Sequence, residues 1–568
     1  MPPPPPSRRL LPWLALTALY TALTLVYFWP LPRLAGDHLG PDLGDPLFNL
    51  WVLKWGAHQI GLGLPDVWDA NIYYPTRGTL AFSDHLLGPA AQLFLFLKLV
   101  PDAIAGYNFL FLSSFVASAL AVCWVLRRGG LSWIAAALAG GMYAFSSFRY
   151  CQLSHLQILI AQWIPLTLWS WDRLLAERTA KRAALFLLFY LLNLSGGCYL
   201  AYMIHFPLLA ILVSRAIAER RGLLSLRSLR VLAPVALVAG VCAAVLFLPY
   251  VRVARAQNLS RPAAEAETYS AHLASYLSPD PQNLYFGADA DRLLHGLFGD
   301  SAELFHRPEN ALFAGFLPTL LFLVGAFAAL RGLREGPADP WVWGIALAGL
   351  LCFALSFARG YVPLARIVPG LSGMRVPARF YAFTSFALVY FAGRGVDLLL
   401  RRLSSPRARL ALAAGLAAVL AVELAPRRIA WERLPREEEM PRAYFWLRDQ
   451  PGVKALIELP LNGDSAQENA YLYAATLHWK PIANGTSGYT ADSYTTLANH
   501  IPLVPHADGL DLLRQMGFTH IVLHIGTKEV RPKIAERWEE RFGSGPERRV
   551  EKVYEEEGIA IYRLVGLR

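Results

Sequence analysis

Two aspartates three positions apart, Asp42 and Asp45 in LGPDLGDPLFNLW (Leu39 to Trp51), stand immediately ahead of an aromatic, apolar segment. A carboxylate so placed can act as a general base on a hydroxyl that comes within hydrogen-bond reach. A third acid, Asp84, lies in NIYYPTRGTLAFSDHLL (Asn71 to Leu87), next to His85. Cationic groups that could complement an anion are Arg375 and Arg379, four apart around Val376 and Pro377, and Arg149 with His155, which flank YCQLS. Guanidinium forks match phosphate oxygens, so Arg375 and Arg379 suit a phosphate; the plainer reading pairs them with headgroups or loop acids. Arg149 and His155 either complete such a site or snorkel from the ends of apolar helices.

Elements must hold these groups, and local signals suggest which. Asp is a good N-cap and Pro is favoured in the first turn, so Asp45-Pro46 predicts a helix capped by Asp45 and running to about Ile60. Its apolar Leu47, Leu50, Trp51, Val52, Trp55 and Ile60 alternate with Asn49, Lys54, His58 and Gln59, which suits a helix at a membrane interface. Ser83 is placed to cap a second short helix with Asp84 in its first turn. His85 reads as a hydrogen-bonded or solvated histidine before it reads as a metal ligand. Trp51, Trp55, Trp68, Tyr73 and Tyr74 fit an interfacial belt as well as sugar stacking.

The surrounding composition is that of a polytopic membrane protein. Of 568 residues, 55% are hydrophobic and only 17% charged, with mean hydropathy +0.35. A spanning helix needs roughly 20 apolar residues. Segments of about that length predict about 11 spans, near 10–31, 104–126, 131–148, 156–175, 183–196, 198–215, 231–250, 311–330, 340–358, 380–398 and 408–425. The division at 183–215 relies on a break at NLSGGCY (Asn193 to Tyr199). The first run, longer than a cleavable signal peptide, reads as a retained anchor after Arg8 and Arg9. The net charge of +11 does not point to nucleic acid. Its basic residues gather in short connections (Arg127 and Arg128; Arg215, Arg227 and Arg230; Arg331 and Arg334; Arg401, Arg402, Arg407 and Arg409), the positive-inside pattern. That pattern puts the N-terminus in the cytoplasm of a plasma (inner) membrane protein, and the loops near 32–103 and 251–310 outside. The five cysteines, Cys123, Cys151, Cys198, Cys242 and Cys352, lie in or beside apolar segments with no CxxC spacing, and read as small core residues.

Residues 1–425 therefore read as an all-α polytopic membrane domain, and 426–568 as a small extracytoplasmic α/β domain. In the latter, KALIELPL (Lys454 to Leu461), THIVLHI (Thr519 to Ile525) and IAIYRLV (Ile559 to Val565) predict strands. DGLDLLRQMG (Asp508 to Gly517) predicts a helix. HWKPIANGTSGYTADSYT (His478 to Thr495) reads as a polar loop carrying a glycosylation-type NGT. There is no P-loop and no GxGxxG.

A first span, a long outer loop with an acid near its start, many spans and an outer C-terminal domain together resemble the GT-C glycosyltransferases. GDPLFNLW, NIYYPTRGTLAFSDHLL, HLQILIAQWIPL (His155 to Leu166) and RVPARF (Arg375 to Phe380) are similar to the YfhO-like bacterial membrane proteins of that superfamily. In its best-known branches a second acid follows the first almost at once; here Pro46 follows Asp45, and Asp42 takes that place from the N-terminal side. The resemblance implies inverting transfer of a hexose or pentose from a polyprenyl-phosphate-sugar donor to an extracytoplasmic acceptor (a cell-envelope glycan, lipid or protein). Asp45 would be the base, with Asp42 or Asp84 assisting or binding a divalent cation. Arg375, Arg379, Arg149 and His155 would hold the donor phosphate. The implied partners are membrane lipids, the lipid-linked donor and the acceptor. The rival readings are a transporter or flippase for a lipid-linked glycan and a non-catalytic envelope-assembly protein. Charges concentrated at loops and span ends favour the enzyme over the transporter.

Overall fold

The computed structural model describes residues 6–223, 225–287, 307–332, 339–461, 464–501, 503–527, 530–544 and 548–566. Arg334 and positions 288–306 of the expected loop near 251–310 lie outside them. The chain divides into two compact units: Met1–Arg33, Asn108–Phe247 and Ser260–Ala430 form one, and Leu34–Tyr107, Leu248–Leu259 and Trp431–Arg568 the other.

The first unit is helical, and its helices begin where the sequence provides caps. Ser132 accepts from the Ala135 amide, Thr179 from Arg182, Asp339 from Trp341 ahead of Pro340, and Ser405 from Ala408 ahead of Pro406. Each satisfies an amide the helix itself cannot. Among the described residues, five helices are long and apolar enough to cross a membrane: Leu10–Tyr27, Ala103–Arg128, Cys198–Glu219, Leu226–Ala256 and Pro377–Arg402. A sixth is obtained if Pro340–Ser356 and Ala358–Ala365, bent by 86°, count as one span. Trp133–Ala144, Trp163–Glu177, Ala180–Leu194, Phe316–Gly332 and Pro406–Glu423 occupy the other expected segments. The break at NLSGGCY is real: one helix stops at Leu194 and the next starts at Cys198, across Gly197 at φ 153°.

Close backbone approach holds this unit together. A Cβ on Gly325 would strike the Phe391 carbonyl, and one on Gly395 the Leu321 carbonyl, so Phe316–Gly332 and Tyr381–Arg402 touch through glycines as small-residue membrane interfaces do. Asp172, fully buried, receives Arg215 at 2.7 and 2.9 Å and also Arg173, which balances a charge that would be costly alone. All five cysteines are free thiols.

In the second unit a four-stranded sheet is built from β1 (Leu456–Leu459), β2 (His520–His524), β3 (Val550–Glu556) and β4 (Ile559–Leu564), in the order β1-β2-β4-β3. β1 and β2 are parallel, with Leu456 opposite His520; the β2/β4 and β3/β4 pairs are antiparallel. Every β1 residue is buried, as expected of a parallel strand covered on both faces. Residues of the first long loop join this unit through backbone bonds. The Tyr73 amide donates to the Asn484 carbonyl at 3.1 Å, Tyr74 to Ile482 at 2.9 Å, and Ile482 to Asn71 at 3.0 Å. His38–Leu39 also pairs antiparallel with Glu432–Arg433.

Candidate active site

The helix after the acid motif runs Asp45–Leu62, and its N-cap is Gly44, with no side-chain capping bond. Asp45 is thus the first helical residue, and the expected capping role is corrected. Asp42 explains the difference. Its carboxylate accepts the Gly44 amide at 2.8 Å, an Asx turn that brings the chain into the helix one residue early. The Asp45 carboxylate then sits in the first turn, where the helix dipole favours negative charge. Asp42 and Asp45 are both solvent-exposed, and both act electrostatically on the Tyr107 hydroxyl.

The rest of this helix corrects the interfacial reading. Asn49, Lys54 and Gln59 are buried along with the apolar positions, because the helix Ser465–His478 packs against it. Lys54, 7% exposed, reaches Glu437 at 2.6 Å; burial holds its pKa below the usual lysine value although Glu437 opposes the shift. The belt reading also fails for Trp51, Trp55 and Tyr73, all buried. Trp51 donates to Asn71 at 3.2 Å and Trp55 to the Val67 carbonyl at 2.9 Å. Asn469, on Ser465–His478, donates to the Gly44 carbonyl at 3.0 Å and the Leu43 carbonyl at 3.5 Å, directly bracing the acid turn. Asn484 of the NGT motif is fully buried, with its side chain bonded to the Glu458 backbone on both sides, so it cannot be a surface modification site.

Asp84 and His85 are buried, not loop-exposed. Ser83 ends the short 3-10 turn Thr79–Phe82, and the next helix starts only at Leu87; the expected cap at Ser83 and first-turn Asp84 are therefore corrected. His85 accepts the Leu87 amide at 3.2 Å and meets the rings of Trp68 and Tyr250 edge-on. Among the described residues no group of three or more His, Cys, Asp or Glu is placed to hold a metal.

The cationic candidates lie in the first unit, and they separate into three situations. Arg375, 41% exposed, pairs with Glu265 at 3.3 Å and lies over the Tyr269 ring. Arg379 is buried and gives two nitrogens to Glu309, at 2.6 and 3.1 Å, with Gln152 also bonded to Glu309 at 3.0 Å. His155 acts on Glu309 electrostatically. Arg375 and Arg379 each hold a loop acid, so the plainer of the two sequence readings describes them.

Arg149 is different. It is 3% exposed, which overturns snorkelling. It donates to the Leu159 carbonyl at 2.9 Å and the Ser114 hydroxyl at 3.3 Å, and covers the Phe115 ring at 4.5 Å. Its Nε has no partner, and no carboxylate pairs with it among the described residues. A guanidinium buried without an acid is costly unless something anionic compensates it. Nearby in sequence, the Tyr150 hydroxyl and the Gln157 and Gln162 carbonyls are also buried without partners. Arg149, Glu309 and Arg379 modify the sequence expectation that charge stays at span ends. They are buried, but on the short segments Ser147–Cys151, Arg307–Asn310 and Pro377–Phe380. Glu309, Tyr107 and Asn469 carried no spacing signal that would have selected them.

No family model matches the sequence, and no curated protein matches it. Solved structures do. The arabinofuranosyltransferase AftD from Mycobacteria aligns over 98% of this chain and 40% of its own, at 14% identity and TM-score 0.53. The chain shares its fold with this arabinofuranosyltransferase. This chain spans about 40% of the length of AftD. The Archaeoglobus fulgidus oligosaccharyltransferase (13% identity, 90% of this chain and 69% of that one, TM-score 0.49) is a more distant match. So is ArnT from Cupriavidus metallidurans bound to undecaprenyl phosphate (14% identity, 97% and 98%, TM-score 0.44).

Proposed function

We propose that this chain is an integral membrane glycosyltransferase that moves a sugar from a polyprenyl-phosphate carrier to an extracytoplasmic acceptor. In this reading it has about 11 spans, a cytoplasmic N-terminus and an extracytoplasmic C-terminal α/β segment, in the plasma membrane. The observation that carries it is Arg149, a buried guanidinium with no acid partner among the described residues.

The reaction makes one bond and breaks one. The acceptor oxygen attacks the anomeric carbon, the anomeric carbon–phosphate oxygen bond breaks, and its electron pair leaves with the polyprenyl phosphate. Asp45 takes the acceptor proton; its exposure lets it return that proton to water. Asp42 holds the turn that presents Asp45. Arg149, in the first unit, is the group proposed to bind the carrier's phosphate, a task that a dry, preorganised cation performs better than a solvated one. Arg379 and Arg375, already neutralised by Glu309 and Glu265, shape the surrounding segments, and His155 and Gln152 complete the polar group around Glu309. Asp84 assists from a buried position, and Asp42 or Asp84 is the proposed holder of a divalent cation. The YfhO-like bacterial proteins are the proposed branch of the superfamily.

The test is binding of undecaprenyl phosphate to the purified chain by native mass spectrometry, with undecaprenol as control. Arg149→Gln should weaken the phosphate at least tenfold and leave undecaprenol unchanged; equal phosphate binding by both proteins would remove the basis of the reading.

A further inference from the structure

Near the acid turn are two buried polar atoms that no described residue satisfies. Asn469, 3% exposed, spends its amide nitrogen on the carbonyls of Leu43 and Gly44, and its amide oxygen has no partner. Tyr107, 1% exposed, has a hydroxyl with no partner and feels both Asp42 and Asp45. An orphaned buried acceptor and an orphaned hydroxyl each destabilise the fold, and native proteins keep such atoms where a ligand or an ordered water completes them. Asn469 holds the backbone between the two acids, and Tyr107 lies within electrostatic range of both.

We propose that Asn469 and Tyr107 bind the hydroxyls of a glycan at the Asp45 turn, so that the helix Ser465–His478 contributes directly to acceptor recognition. This rests on the glycosyltransferase reading and deepens it. The chemistry selects a polyol. Asn469 Oδ1 only accepts, so it requires an O–H or N–H; the Tyr107 hydroxyl can donate to one sugar oxygen or accept from another. A sugar with adjacent hydroxyls supplies both within one ring, and one of those hydroxyls then faces Asp45. Asn469 has a second role as a positioning residue, because its amide nitrogen fixes the Gly44 carbonyl, the last backbone group before Asp45.

The test is saturation-transfer NMR of the full-length protein in detergent. The probes are methyl α-D-mannopyranoside, methyl α-D-glucopyranoside and methyl α-D-arabinofuranoside, compared for wild type, Tyr107→Phe and Asn469→Leu. Wild type should bind at least one glycoside saturably, and each variant should weaken that glycoside about tenfold. Tyr107→Phe keeps the ring and removes only the hydroxyl, so it separates ligand contact from folding. In a transfer assay it should raise the acceptor KM about tenfold, with kcat within twofold and the donor KM unchanged. Absence of saturable binding by all three glycosides, or undiminished binding in Tyr107→Phe, overturns the proposal in favour of buried water. Glycoside binding without any sugar transfer would sustain it and count instead against the transferase reading.

Discussion

Glu468 should make the helix Ser465–His478 sensitive to pH, and the sign follows from its surroundings. It is 2% exposed, and burial pushes its pKa up from 4.5 to about 7, against the hydrogen bonds from Tyr494 and Gly485 that favour the charged form. Those bonds are 2.8 and 2.9 Å. Because the folded pKa lies above the unfolded one, the protonated acid stabilises the fold. Its contribution is complete below about pH 4.5 and is lost as pH rises through 7. The difference of about 2.5 pH units corresponds to about 3 kcal/mol. Glu468→Gln keeps the shape, stays neutral, and can donate to the Tyr494 oxygen while accepting from Gly485. Hydrogen exchange read by mass spectrometry on Ser465–His478 peptides, corrected for intrinsic rates, measures the effect. Wild type should lose about 3 kcal/mol of protection between pH 4.5 and 8, whereas the Gln variant should lose little. Parallel slopes in the two proteins would refute the burial argument.

Two further perturbations test the packing of the helical unit. Glu309→Gln leaves the buried Arg379 without its counter-ion, and denaturation in detergent should show a loss of about 3–5 kcal/mol, largely recovered when Arg379→Met is added to Glu309→Leu. Gly395→Leu drives a side chain into the Leu321 backbone and should cost at least about 1–3 kcal/mol by the same measurement, while the exposed Gly332→Leu should be nearly neutral.

How much of this was legible in the sequence depended on whether the signal was local. The apolar runs near 340–358 and 408–425 located the helices Pro340–Ser356 and Pro406–Glu423, and strand alternation found β1, β2 and β4, because those signals reside in neighbouring residues. β3 was missed: Val550–Glu556 is mostly charged, since it lies at the sheet edge with only one strand beside it. Polar residues on Asp45–Leu62 suggested an exposed face, yet Lys54 is buried through its pairing with Glu437, a partner 383 positions away. Arg149 read as a snorkelling end residue for the same reason: burial is a tertiary property. The candidate acids were found by type and position. The groups that serve them, Asn469 and Tyr107, were not, because only the folded chain brings position 469 to position 44.

Asp45 is the proposed base of a sugar transfer from a polyprenyl phosphate. The direct measurement is incubation of purified protein with radiolabelled polyprenyl-phosphate sugars and a cell-envelope extract as acceptor, comparing wild type with Asp45→Asn. Wild type should consume donor and label the acceptor, and Asp45→Asn should be slower by about 10²–10⁴-fold. Full activity in Asp45→Asn, or no donor consumed by wild type, would contradict it.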